Sequence, residues 1–228
     1  MANRESLRTK AIVLRRTNYG EADRILQILT PEGKMGVLAR GVRREKSRLA
    51  GGIELFSVSD VVIHRGKGDL GILASVKLVE YFDALTKDLE LLEMGGVMMK
   101  KVSARAEQVE SAEYFELLRE ALRVMQRRVG QEGSWKEVVW AWWGLNLGRV
   151  SGDEVNLWFD GAGEKLLAEA RYRWDDEQMA LCVCEDGKVG AEHIKLLRLM
   201  QKMPLEMILR VKGVESLVRD CEEVVRCF

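Results

Sequence analysis

Six cations, Lys34, Arg40, Arg43, Arg44, Lys46 and Arg48, stand within fifteen consecutive residues against one acid, Glu45. Guanidinium and ammonium groups spaced this closely can neutralise successive phosphates of a polyanion and release its counterions. A solvated surface loop has the same composition, so residue types alone leave both readings open. A second array, Arg119, Arg123 and Arg127, recurs every fourth residue. On a helix that spacing aligns the three side chains along one side, and an exposed face laced with ion pairs is the plain reading of it. Catalysis finds less material. The two histidines, His64 and His193, are far apart in the chain, and there is no G-x-S-x-G, P-loop or H-E-x-x-H. The carboxylate pairs Glu21 with Asp23 and Asp175 with Asp176 sit in turn-like sequence. The expectation is a protein that is not an enzyme and has no cofactor.

Metal is not implied by spacing either. Cys182 and Cys184, then Cys221 and Cys227, give C-x-C and C-x5-C rather than paired C-x2-C knuckles. Cys221 falls in the apolar series Val214, Leu217, Val218, Cys221, Val224, Val225, Phe228 and is expected in a helix core. With 36 Lys or Arg and 36 Asp or Glu, the 228 residues are formally neutral. The balance is uneven, however. Residues 1–82 carry 15 basic and 9 acidic side chains, leaving 21 and 27 for the remainder, so the chain is bipolar, +6 against −6. Neither a membrane span nor the apolar core of a signal peptide is present, and a cytoplasmic protein is expected.

The elements that would position the first array have strand texture. Residues 11–16 form an apolar run ending in charge, and Thr17-Asn18-Tyr19-Gly20 reads as turn material. A second strand passes through Ile25, Leu26, Ile28 and Leu29, and Pro31-Glu32-Gly33 signals a hairpin. A third occupies 35–39; the basic loop and Gly51-Gly52 separate it from a fourth over 53–64. Gly66 to Gly68 turns the chain into a fifth over 70–81. Five short strands in so few residues suggest a small barrel with a basic loop, the layout of an OB-fold whose open face tracks single-stranded nucleic acid. Aromatic platforms are scarce: Tyr19, Phe56, Tyr81 and Phe82 are the candidates, so binding led by phosphate contacts is expected.

The second half is helical by pattern. A helix is expected over 85–108 with Leu85, Leu89, Leu92, Met99 and Val102 inward, interrupted by Gly95-Gly96. Another follows Ser111 with Phe115, Leu118, Leu122, Met125 and Val129 on one stripe, Arg127 and Arg128 late, and Gly130 as its stop. A third begins at the capping box Ser134-Trp135-Lys136-Glu137 and carries Trp135, Trp140, Trp142 and Trp143, more tryptophan than one face holds. Periodicity fades over 150–190, then resumes at 191–203, restarts near Pro204 and ends in 214–228.

The ordered succession Gly20-Glu21, Leu29-Thr30, Gly33-Lys34, Ala39-Arg40-Gly41-Val42-Arg43-Arg44, Lys46-Ser47-Arg48, Gly51-Gly52 and Phe56 resembles the amino-terminal half of the RecO recombination mediators. Two departures stand out: Leu55 replaces a proline common before the aromatic, and only Cys182 and Cys184 remain of a four-cysteine zinc knuckle found in many members. The resemblance implies an α+β protein, with a five-stranded OB-fold barrel at 1–82 and a mainly helical domain at 83–228 whose insert near 150–190 is degenerate and metal-free. It implies a DNA repair mediator that binds single-stranded DNA through Lys34, Arg40, Arg43, Arg44, Lys46 and Arg48. Annealing of strands or recombinase loading would follow, with the single-stranded-DNA-binding protein and a RecR-like partner. The helical domain of that family receives the acidic, apolar-tipped tail of the single-stranded-DNA-binding protein, for which Arg119, Arg123 and Arg127 have suitable chemistry. Two rivals stay open: an interaction adaptor on the same fold that does not bind DNA, and an RNA-binding barrel.

Overall fold

A computed structural model describes residues 6–64, 70–106 and 112–225. The expected turn at Gly66 to Gly68, the helix start at Ser111, and Cys227 and Phe228 lie outside the described residues. The chain divides into two compact units, 1–129 and 130–228.

The first unit begins with five strands, β1 (Ser6–Tyr19), β2 (Asp23–Thr30), β3 (Gly33–Ala39), β4 (Ser57–His64) and β5 (Leu70–Tyr81). They close into a barrel in the order β1-β2-β3-β5-β4, with β3 and β5 parallel and β4 returning to pair with β1. Strand β1 is longer than its apolar run. Thr17, Asn18 and Tyr19, read as turn, pair instead with Ile25, Arg24 and Asp23, because cross-strand partners override weak local turn preference. At the other margin, residues 53–56 do not join β4: Phe56 has a φ of 57°, a left-handed conformation incompatible with an extended strand.

Alternation splits the barrel side chains between two cores. Ala11, Val13, Leu26, Ile28, Val37, Val61, Ile63 and Leu73 fill the inside. Ile12 and Leu29, opposite each other in register, are also fully buried, on the outer side of β1 and β2. That side is covered by α1 (Leu89–Arg105); Ser103 Oγ donates to Gln27 Oε1 at 2.9 Å. Asp88 caps α1, accepting from the Leu91 amide at 3.1 Å, and this start sets the helix phase. Leu91, Met98, Met99 and Val102 therefore point inward while Leu89 is exposed, a correction to the expected stripe; Leu85 is buried in a preceding 3-10 turn. Gly95 has its reason in packing, since a Cβ there would lie 2.6 Å from the Phe56 ring. Helix α2 (Ala112–Arg128) buries Phe115, Leu118, Leu122 and Met125 as its spacing predicts.

The second unit is built around α3 (Trp135–Ser151), buried on nearly every side, with α4 (Ala191–Lys202), α5 (Leu205–Ile208), α6 (Val214–Asp220) and α7 (Glu222–Val225) against it. Trp135, Trp142 and Trp143 are core, and Trp140 stacks on Trp143 with ring centroids 5.6 Å apart. The capping box is not formed. Ser134 makes no side-chain cap bond, and its Oγ accepts from Arg219 Nη2 at 2.8 Å, a tertiary donor that displaces the local amide. The single final helix is likewise broken at Cys221, which is fully buried. Between α3 and α4 lies an ordered hairpin, β6 (Tyr172–Asp175) and β7 (Ala180–Val183). The turns around it are closed by carboxylates: Asp160 Oδ1 accepts from the Ala162 and Glu164 amides, and Asp175 Oδ1 from those of Glu177 and Gln178.

Candidate nucleic-acid interface

Gly41 has a φ of 62°, so the chain can leave β3 in a tight left-handed turn that a side chain would strain. Three hydrogen bonds then hold that turn to the β1–β2 connection. Asp23 Oδ1 accepts from the Gly41 amide at 2.7 Å, Ala22 O from the Arg43 amide at 2.8 Å, and Gly20 O from Arg43 Nη1 at 3.3 Å. Arg40, Arg43, Arg44, Lys46 and Arg48 are exposed, and among the described residues none of them is in an ion pair. At the same end of the barrel Tyr19 is 56% exposed and Arg24 donates to Asn18 Oδ1 at 3.2 Å. Of the other aromatic candidates, Tyr81 is exposed and Phe56 and Phe82 are core.

Lys34 is placed elsewhere. It stands at the start of β3, the end away from the basic loop, and its Nζ donates to the Ser103 carbonyl of α1. With Arg15, Gln27 and Lys100 it lines a cleft of about 380 Å³ between the barrel and that helix. At the C-terminal end of α1, burial pushes the Lys101 ammonium below its ordinary pKa and Arg105 adds to the effect.

The helical array is differently employed. Arg119 Nε donates to Glu80 Oε1 at 2.8 Å, and Arg123 binds both oxygens of the same carboxylate. The Arg119 side chain is only 15% exposed, whereas Arg127 is open to solvent. Burial pushes the Glu80 carboxyl up, but hydrogen bonds from Arg123 and Arg119 more than offset it and hold the pKa below the ordinary value. The Glu80 hydrogen bond in turn raises Arg123. Together Arg119, Arg123, Gln126 and Arg127 line a shallow cleft with Val79 and Tyr81.

Two participants escaped the sequence reading. Asp23 stands in turn-like sequence but anchors the loop, because the Arg24–Ala39 strand pairing sets it beside Gly41. Glu80 gave no local sign at all, since its partners lie 39 and 43 residues on. Among the described residues no group of three or more His, Cys, Asp or Glu is placed to hold a metal ion. No described helix is long and apolar enough to cross a membrane.

A closed five-stranded barrel that carries its exposed cations on one anchored loop, followed by helices, is the class this geometry defines. The family model described as recombination protein O, N terminal, matches residues 1–82. The DNA repair protein RecO of Roseiflexus sp. (strain RS-1) is 30% identical over 229 residues, 97% of this chain and 79% of that protein. The protein of the same name from Dehalococcoides mccartyi (strain CBDB1) is 28% identical over 234 residues, 99% and 90% respectively. The chain belongs to the RecO family of DNA repair proteins.

Proposed function

We propose that this protein is a non-enzymatic recombination mediator whose barrel, an OB-fold, holds single-stranded DNA by its phosphates. The observation that carries the reading is the anchored loop with five exposed cations that form no ion pair among the described residues. A strand of phosphates reaches such a loop without first displacing an internal ion pair, and the hydrogen bonds that Gly41 and Arg43 donate to Asp23, Ala22 and Gly20 lower the ordering cost of binding. Because α1 lies over the outer side of β1 and β2, the strand would follow the loop end of the barrel, past Tyr19 and Arg24. Lys34 then contributes at a distance, through the cleft it shares with Arg15 and Lys100. In this reading the other surfaces engage the single-stranded-DNA-binding protein and a RecR-like partner in annealing or recombinase loading, in the cytoplasm at the nucleoid. Arg127, with Arg119 and Arg123 beside it, would take the acidic tail.

Titration of a labelled oligonucleotide at two salt concentrations tests this against wild type and R43A/R44A/K46A. Removing three phosphate contacts should reduce the slope of log affinity on log salt by about 2 for a single strand. Absence of saturable binding by wild type would leave the adaptor reading standing. Preference for RNA over DNA of the same sequence would favour the RNA-binding barrel.

A further inference from the structure

Residues 155–167 carry two large aromatics into solvent. Trp158 is 48% exposed and Phe159 47%, although the backbone of both is hydrogen-bonded within its own loop. Asn156 Oδ1 accepts from both their amides, at 2.9 and 3.0 Å, and Phe159 bridges to Lys165 across the Asp160 turn. Below them, Arg198 of α4 donates through Nε and Nη2 to the Leu157 carbonyl at 3.0 and 2.7 Å. Its guanidinium lies 3.9 Å from the centroid of the Trp158 ring, and Lys202 Nζ lies at 5.7 Å. The loop is therefore stapled from within while its largest apolar side chain stays half in water.

Burial of a tryptophan is normally among the larger gains of folding, and this one, held in place by its loop and by Arg198, keeps about half of its surface available to a ligand. We propose that Trp158 is a base-stacking platform for single-stranded nucleic acid on the second unit. The indole is held against Arg198 and is 48% exposed, enough ring surface for a base to meet. Lys195, Arg198 and Lys202 follow at three and four residue steps along α4, so they share one side of the helix, where they can meet the flanking phosphates. Glu192 is the acid on that stretch and is paired with Lys195 at 2.8 Å; the Asp160 carboxylate is turned into its own loop. In a half of the chain that is acidic overall, this is a local cationic and aromatic patch. Stacking is tolerant of sequence, and such platforms commonly accompany electrostatic tracks. The proposal rests on the reading of the protein as a single-strand binder and adds base contacts to one led by phosphates.

The test compares oligothymidylate with an abasic oligodeoxyribose phosphate of equal length, bound by wild type, W158A, W158F and the R43A/R44A/K46A variant. Loss of one stacked base on W158A should weaken oligothymidylate binding about ten-fold, leave abasic binding and the salt slope unchanged, and be largely rescued in W158F. The loop variant should lose affinity for both ligands. If W158A binds oligothymidylate as wild type does while the loop variant weakens, the platform is wrong and the functional reading survives. If wild type binds neither oligonucleotide, both fall. Equal weakening of W158A and W158F, or loss in W158A of binding to an acidic peptide only, also overturns the platform. Thermal melts of each variant separate misfolding from lost contact. If W158A does not fold, W158M, which keeps apolar bulk without an aromatic face, takes its place and should weaken oligothymidylate binding by a similar factor; wild-type binding by W158M overturns the platform.

Discussion

The loop at 40–48 and the arginine stripe of α2 are alike in one dimension and opposite in three. Both present closely spaced guanidiniums. The loop's face solvent, whereas two of the three on α2 are consumed by Glu80, an acid from the end of β5. Cation count thus measures available charge poorly; what matters is whether the fold brings a carboxylate within reach. A buried or half-buried arginine that already holds an acid must give it up before it can bind another, and in a desolvated setting that exchange is costly. An exposed arginine only exchanges water and counterions.

Matched charge reversals break or sharpen this contrast most strongly. R119E/R123E sets three carboxylates against one another and should cost the first unit about 3–5 kcal/mol, read as a large fall in melting temperature. R43E/R44E should leave stability within about 0.5 kcal/mol, yet weaken oligonucleotide binding about a hundred-fold or more at low salt. Similar melting curves for the two variants would erase the distinction between the arrays.

Removal of the shared acid comes next. E80Q should cost about 1–3 kcal/mol at neutral pH, the range for hydrogen bonds to charged groups, discounted here because the pair is partly exposed. The folded-state pKa of Glu80 lies below its ordinary 4.5. Its contribution is therefore complete above that value and lost as pH falls through the lower one. Melts of wild type and E80Q should converge once the pH has fallen through that lowered value; a gap that persists in still stronger acid would show that the carboxylate's charge is not what stabilises the pair.

D23A should have a smaller effect, loosening the loop with a stability loss of about 1 kcal/mol and a several-fold drop in affinity through lost pre-organisation. The salt slope should stay as in wild type, because no cation is removed. The smallest effect is expected of K34A: at the far end of β3, it should change the salt slope by about 0.7 or less, against the larger change in the loop variant. A K34A slope change equal to that of the triple variant would mean that the DNA runs along the α1 cleft instead.

Much of the fold was legible locally. Strand texture located β2, β3 and β5, the 3-4 spacing located the buried face of α2, and the charge run located the loop. Failures came wherever a distant partner outcompeted a local preference. Ser134 was drawn to Arg219, 85 residues away, and Tyr19 to a strand pairing across Gly20. The exposure of Trp158 was equally invisible, because in a sequence a tryptophan signals burial.

What the chain order alone determined is where each charge and each apolar stripe sits, since alternation and the 3.6-residue turn are properties of the backbone. The tertiary structure decided which charges are usable. Asp23 meets Gly41, Lys34 meets Ser103 and Arg123 meets Glu80 across separations of 18, 69 and 43 residues. The reason is geometric: hydrogen bonds and ion pairs are short-ranged, and only barrel closure and helix packing bring such partners within about 3 Å.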